Sequence, residues 1–136
     1  MRIAYLGSPD FAVPALARLC AAGLTPLAAI TQPDRPRNRG KLTPTPVKAK
    51  ALELGIAVYE PLKIKSAEGV ALLKSLNADL LVVVAYGQLL SPEILALPPL
   101  GTVNIHASLL PAYRGAAPIH RAVINGEKRT GVTTMY

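Results

Sequence analysis

Asn104 and His106 are the two residues whose types and spacing most readily suggest chemistry in this sequence, with Ile105 between them. On a β-strand, residues two positions apart project from the same face, so an amide and an imidazole would lie side by side. An amide donor can stabilise a developing oxyanion, and an imidazole can accept or release a proton near neutral pH. Two polar residues that merely complete their hydrogen bonds at a strand end are the commoner explanation of so short a pattern.

A second candidate site is a basic segment between Arg35 and Lys50 that contains no acidic residue. Its six basic residues are Arg35, Arg37, Arg39, Lys41, Lys48 and Lys50. The whole chain of 136 residues has 15 Lys and Arg against 8 Asp and Glu, and its net charge of +7 favours an anionic partner. Such a dense segment suits a phosphate backbone, although it lacks the aromatic residues that would stack on unpaired bases. A solvated surface loop is the alternative interpretation.

The remaining polar residues disfavour other kinds of site. The turn Gly7-Ser-Pro-Asp10 has one glycine and one proline, whereas a dinucleotide site needs three glycines at set positions. His120 is the only other histidine, Cys20 is the only cysteine, and no metal-ligand spacing links them to His106. Ser108 lacks the Gly-x-Ser-x-Gly setting of a nucleophile, so a capping or turn role is favoured for it. The sequence therefore predicts neither a metal site nor a nicotinamide or flavin site.

Apolar strand-like runs alternate with amphipathic helix-like runs, and these elements must position the candidate residues. The predicted strands are 2–6, 27–31, 56–59, 80–85, 102–106 and 131–136. The predicted helices lie between Asp10 and Gly23, where Ser8 or Asp10 could be the cap, and at 47–54, 66–76 with Ser66 as cap, and 117–124. Segment 32–46 has four prolines and no periodicity, so it is predicted to be a loop.

This alternation predicts an α/β fold, a Rossmann-like and mainly parallel sheet with helices on both faces, in one domain over residues 1–136. Ligands of such sheets bind beyond the carboxyl ends of the strands. In this chain those ends are 7–10, 31–46, 86–90 and 106–118.

Composition limits where the protein can act. Hydrophobic residues at 51% and charged residues at 17% exclude a disordered chain. The longest apolar run, 78–86, is too short to cross a bilayer, and residues 1–7 do not resemble a secretory signal. A single cysteine fits a reducing compartment. We therefore expect a cytoplasmic protein that binds no membrane.

The segment Asn104-Ile-His-Ala-Ser-Leu-Leu-Pro111 resembles the signature of the folate-dependent formyltransferases. Further stretches similar to this family are 7–14, 31–36, 44–48, 82–87, 113–119 and 130–133. The resemblance covers nearly the whole chain, and the runs 31–36 and 114–118 are closest to the members that act on initiator tRNA.

The resemblance implies transfer of a formyl group from 10-formyltetrahydrofolate, a co-substrate, to the α-amine of methionine on initiator tRNA, with no metal. Asn104 and His106 would hold and polarise the formyl oxygen. The residues implied for folate binding are Val84, Tyr86, Gly87, Leu89, Ser108, Leu109, Leu110 and Pro111. Those implied for contact with the tRNA acceptor arm are Arg35, Arg37, Arg39 and Lys41. The complete protein is expected to be a monomer that does not bind DNA.

The end of the chain departs from the family pattern. A third catalytic residue of the family, an aspartate in a Gly-Leu-Asp-Thr-Gly segment, would follow the strand that begins at Gly131, and a C-terminal β-barrel domain would follow later. The resemblance therefore implies a fold that is incomplete at the C-terminus and an inactive fragment. Two alternatives stay open: a formyltransferase that acts on an amino sugar or nucleotide, and a non-catalytic RNA-binding domain.

Overall fold

The computed structural model describes residues 1–37, 41–106 and 133–135, with the backbone alone at 35–37, 106 and 133–135. The strands are β1 Ile3–Gly7, β2 Ala28–Ile30, β3 Arg35–Arg37, β4 Lys41–Thr43, β5 Ala57–Tyr59, β6 Leu80–Val84, β7 Thr102–His106 and β8 Thr133–Met135. The helices are a 3-10 turn at Asp10–Ala12, α1 Val13–Ala21, α2 Pro46–Glu53, α3 Ala67–Leu76 and α4 Pro92–Leu95. No helix in this described part of the chain is long and apolar enough to span a membrane.

Six of the strands form one sheet in the order β5-β2-β1-β6-β7-β8. All neighbours pair in parallel except β7 and β8, which are antiparallel. The prediction of a Rossmann-like, mainly parallel sheet is therefore confirmed. The sixth predicted strand is present at Thr133–Met135, while the predicted helix at 117–124 lies outside the described residues.

Helices cover both faces of the sheet, which explains why its central strands are apolar throughout. In β1, Ala4 and Leu6 pack in a cluster with α3, whereas Ile3 and Tyr5 pack in a second cluster with α1 and α2. All four residues are buried. We call the two sides of the sheet the α3 face and the α1 face.

Side-chain caps begin three of the helices. Ser66 accepts a hydrogen bond from the Gly69 amide at 3.1 Å and so caps α3, as the sequence predicts. Thr45 caps α2, and Ser91 caps the short α4, which the sequence analysis did not predict. Neither the 3-10 turn nor α1 has a side-chain cap, so the role predicted for Ser8 or Asp10 is wrong.

The prediction that 32–46 is a loop is wrong at two places, because β3 and β4 form an antiparallel hairpin there. Its register joins Arg35 to Thr43 and Arg37 to Lys41, with Pro36 opposite Leu42. Strands of three residues are too short to show a period of two. A proline within a run also argues against a strand, except at an edge. The basic residues of this segment are thus carried by a hairpin that stands apart from the main sheet.

Candidate functional site

Asn104 lies near the carboxyl end of β7, on the α3 face of the sheet. The register places it beside Val83, which packs on the α3 face, while the next residue, Ile105, packs on the α1 face. Pairing with β6 ends at Asn104, but β7 continues to His106, whose backbone pairs with Thr133. The fold therefore brings positions 104 and 106 to the carboxyl end of the sheet, where ligands of parallel sheets bind.

The chain after β6 turns sharply in two places. Ala85 has a φ of 49° and Gly87 a φ of 98°, both in the left-handed region. The φ of Gly87 favours glycine at this position, and a Cβ there would also lie 2.8 Å from Nε2 of the Gln32 side chain. The turns bring Gly87 against Gln32, in the loop that follows β2.

The residues predicted for folate binding differ widely in exposure. Val84 and Tyr86 are buried, on the α1 face and the α3 face respectively, so the side chain of Val84 faces away from Asn104. Gly87 and Leu89 line open surface, and Leu89 is 81% exposed. Ser108, Leu109, Leu110 and Pro111 lie outside the described residues.

Gly87 and Leu89 line a cleft of ≈ 560 Å³ at the carboxyl ends of the strands, on the α3 side. The other lining residues are Gln32, Leu62, Lys63, Ile64, Lys65, Ser66 and Gln88. Leu62 is 82% exposed, and both lysines are exposed. The cleft therefore combines an apolar wall with two ammonium groups, which suits a ligand with a flat apolar part and an anionic part.

Gln88 joins three loops at this cleft, a role that the sequence analysis missed. Its Oε1 accepts from the Ile64 amide at 2.7 Å. Its Nε2 donates to Oε1 of Gln32 at 2.9 Å and to the Leu62 carbonyl at 3.1 Å. The loops that follow β2, β5 and β6 are thereby held together by one amide.

The turn after β1 forms the floor of the same region. The hydroxyl of Ser8 donates to the backbone carbonyl of Tyr86 at 2.7 Å and accepts from the backbone N–H of Gln32 at 3.2 Å. A Cβ on Gly7 would lie 2.9 Å from the Val84 carbonyl oxygen, so glycine allows β1 to end close against β6. The Gly7–Asp10 segment thus borders the site as a tight turn.

Tyr86 directly precedes Gly87 and packs in the core cluster of the α3 face. Its side chain is 2% exposed, and burial raises its pKa to about 12. Within 1–37 and 41–106, no side chain or backbone group hydrogen-bonds to its phenolic hydroxyl. It therefore stays protonated at neutral pH and retains its capacity to donate.

The structure separates the basic residues of 35–50 into two groups. Lys48 lies 2.6 Å from Oε1 of Glu60 and 3.0 Å from Oδ1 of Asp34, and these hydrogen bonds raise its pKa above the ordinary 10.5. Lys50 pairs with Glu53 at 3.2 Å. The remaining members belong to the hairpin: Arg35 and Arg37 lie in β3, Lys41 is exposed in β4, and Arg39 lies outside the described residues.

Across the described ranges, no three His, Cys, Asp or Glu side chains group as metal ligands do.

The sequence matches the formyl transferase family over residues 1–136. The chain belongs to that family. This formyl transferase chain is 60% identical over 137 residues to the methionyl-tRNA formyltransferase of Pelotomaculum thermopropionicum, a match that covers 100% of this chain and 44% of that protein. The methionyl-tRNA formyltransferase of Moorella thermoacetica gives the same identity and coverage. The chain spans less than half the length of these relatives.

Solved structures of formyl transferases share the fold. The phosphoribosylglycinamide formyltransferase of Bacillus halodurans superposes with a TM-score of 0.75 at 27% identity, covering 100% of this chain and 71% of that one. The family resemblance drawn from the sequence motifs is therefore confirmed. The roles of Asn104, His106 and the residues assigned to folate and tRNA stay predictions.

Proposed function

We propose that this chain is the N-terminal catalytic domain of a protein that transfers a formyl group from 10-formyltetrahydrofolate to the α-amine of methionyl initiator tRNA. The observation that carries this proposal is the 60% identity to proteins named methionyl-tRNA formyltransferase, against 27% to a phosphoribosylglycinamide formyltransferase. This contrast favours a tRNA substrate over a small amino sugar or nucleotide. Cytoplasmic location and a monomeric state stay predictions.

Asn104 and His106 have complementary roles in this proposal. A bound 10-formyltetrahydrofolate would supply an activated formyl group. As the amine attacks the formyl carbon, negative charge develops on the formyl oxygen; the C–N bond to the folate then breaks, and tetrahydrofolate leaves with the proton that the amine loses. The Asn104 amide donates a hydrogen bond to that oxygen, which is worth most in a site that excludes water. The His106 imidazole holds a proton at the same oxygen or takes one from the attacking amine.

The cleft supports the folate assignment by its chemistry. Leu62 and Leu89 offer an apolar wall to a flat ring system, and Lys63 and Lys65 offer ammonium groups to carboxylates. Both chemical features are present in a folate. Val84 contributes through its backbone, since its side chain is buried on the opposite face of the sheet.

The β3–β4 hairpin is proposed to meet the acceptor arm of the tRNA. Arg35, Arg37 and Lys41 come from its two strands, and Arg39 from the segment between them. Contacts of this kind to phosphates position a nucleic acid without reading its bases, which fits the lack of aromatic residues.

The test uses the complete protein with Asn104→Ala and His106→Ala. Loss of a group that stabilises the transition state commonly lowers turnover ~10²–10³-fold. We expect that loss in single-turnover formyl transfer to methionyl initiator tRNA, with tRNA affinity unchanged. Thr102→Ala, two residues earlier on β7, is the matched control and should transfer at the normal rate.

Equal losses of turnover and of tRNA affinity would assign Asn104 and His106 a structural role. Wild-type protein that binds tRNA but transfers no formyl group would instead favour the non-catalytic alternative. Faster transfer to an amino sugar nucleotide than to methionyl-tRNA would favour the small-substrate alternative.

A further inference from the structure

Three charged side chains meet at the base of the β3–β4 hairpin. Asp34 directly precedes β3, Lys48 lies in the first turn of α2 shortly after β4, and Glu60 directly follows β5. Nζ of Lys48 contacts both carboxylates, at 3.0 Å and 2.6 Å. One ammonium group therefore links the two ends of the hairpin to the edge strand of the main sheet.

The surroundings of this triad are well packed. The hydroxyls of Thr31 and Thr45 lie 2.6 Å apart, and both residues are buried. The Val47 amide donates to the Ser8 carbonyl at 3.2 Å. The side chains of Lys48, Asp34 and Glu60 are only 22%, 29% and 27% exposed. The three charged side chains are therefore mostly covered by the packed residues around them and do not project freely into solvent.

We propose that Asp34, Lys48 and Glu60 position the β3–β4 hairpin for binding a polyanion, and that Lys48 makes no phosphate contact of its own. This inference rests on the proposed tRNA function and deepens it. The triad fixes how the strands β3 and β4 are attached to the rest of the domain. A hairpin joined to the sheet by this link offers its charges in one arrangement, so less ordering is needed on binding.

Charge alone and positioning predict changes of opposite sign in polyanion affinity when the two carboxylates are neutralised. Asp34 and Glu60 add negative charge beside a surface that is proposed to bind phosphates, so their neutralisation would raise affinity through the field alone. Positioning predicts that Asp34→Asn and Glu60→Gln lower affinity. The sign of the change therefore separates the two explanations.

The experiment measures binding of initiator tRNA to the complete protein over a series of salt concentrations. We expect Lys48→Met to weaken binding ~5-fold and Asp34→Asn ~3-fold, the size of effect that partly exposed ion pairs produce. The slope of log affinity against log salt should be unchanged, because that slope counts phosphate contacts. Lys50→Met removes the same charge from the same helix and should change affinity less than ~2-fold.

Three results would overturn the positioning role. They are tighter binding by Asp34→Asn, a salt slope reduced by ~0.9 in Lys48→Met, and equal effects of Lys48→Met and Lys50→Met. A slope reduced by that amount would make Lys48 itself a phosphate ligand.

Hydrogen exchange keeps this test independent of the tRNA proposal. Without any ligand, the backbone amides of β3 and β4 should exchange several-fold faster in Lys48→Met than in Lys50→Met, while those of β1 and β6 stay unchanged. Equal exchange in the two variants would overturn positioning. If Lys48→Met shows the expected faster exchange but the wild-type protein binds no tRNA, the role of the triad in positioning the hairpin is kept and the proposed function is rejected.

Discussion

The Gln88 amide holds the residues of the cleft together, and the buried phenol of Tyr86 lies two positions before it in the chain. Gln88 uses both ends of its amide, and Ser8 both donates and accepts, so the loops on this side are joined by side chains more than by the sheet. The hydroxyl of Tyr86 is buried. Among the described residues this hydroxyl has no hydrogen-bond partner, and burying it costs free energy that a phenyl ring would not, which makes Tyr86 a sensitive probe of the site.

Tyr86→Phe should change how stability depends on pH. The pKa of Tyr86 is about 12 in the folded protein against an ordinary 10.0, so between these values the unfolded chain releases a proton that the folded chain keeps. Its contribution is fully present below pH 10 and is lost as the pH rises to about 12. In urea unfolding, the free energy of unfolding of the wild type should fall by about 2–3 kcal/mol more than that of Tyr86→Phe over this pH range.

Tyr59→Phe is the control for Tyr86→Phe, because Tyr59 is 36% exposed. It should keep the wild-type dependence on pH. The same steep fall in Tyr86→Phe as in the wild type would show that the phenol does not stay protonated in the folded state.

At the residue scale, sequence patterns identify the candidate catalytic residues but not the side chains that hold the surrounding loops in place. Asn104, His106 and the glycine turn stand out because their types and spacing have mechanistic meaning. Gln88 has no such pattern, since its partners are 24 and 56 positions away along the chain. The sequence likewise places Lys48 in the basic segment 35–50 without showing its partners, because Asp34 and Glu60 meet it only in the fold.

At the element scale, the backbone just after β6 has an unusual conformation for a residue with a side chain. Ala85 is exposed but has a φ of 49°, a region that costs a residue with a Cβ about 1–2 kcal/mol. Asn77 has a similar φ at the end of α3, where an asparagine is a common helix terminator. Ala85 has no such reason, and it lies between the core strand and the loop that borders the cleft.

The effect of substitutions at Ala85 on the free energy of unfolding should depend on the backbone conformation of this residue more than on its burial. We expect Ala85→Val to lower the free energy of unfolding by about 1 kcal/mol or more, and Ala85→Gly to leave it equal or up to about 1 kcal/mol higher. Urea denaturation measures both changes.

Ala57→Val is the control for Ala85→Val, because Ala57 is exposed in β5 and a β-branched residue suits a strand. It should be neutral or stabilising. Equal losses from the two valines would show that residue 85 does not hold the left-handed conformation in solution.

The elements that the sequence predicted well are those with strong local patterns. β1, β2 and β6 are continuous apolar runs because both sheet faces are covered, and α3 has a cap and an amphipathic pattern. The β3–β4 hairpin and the four-residue α4 are too short for either pattern to develop. Their contacts are local, namely the pairing of β3 with β4 and the Ser91 cap of α4, but they leave no periodic pattern in the sequence.

At the scale of the whole molecule, the proposed domain should not catalyse the reaction by itself. The relatives are more than twice as long as this chain, and the family resemblance predicts a third catalytic aspartate after the predicted strand 131–136. A protein limited to residues 1–136 should therefore show formyl transfer at least ~10²-fold slower than the complete protein. The measurement is single-turnover transfer to methionyl-tRNA at equal protein concentrations. A comparable rate would show that residues 1–136 suffice.

The position of β1 inside the sheet has a consequence for synthesis of the chain. β1 is made first, yet one of its two neighbours is β6, and the bond from the Arg2 amide to Asp79 joins residues 77 positions apart. A ribosome adds that much chain in ~4–15 s, and throughout this interval one edge of β1 has no partner. An unpaired apolar edge is where a second nascent chain can attach. A translational pause before β6 has left the ribosome lengthens this exposure, whereas a pause after β6 has emerged and paired falls when the edge is already closed.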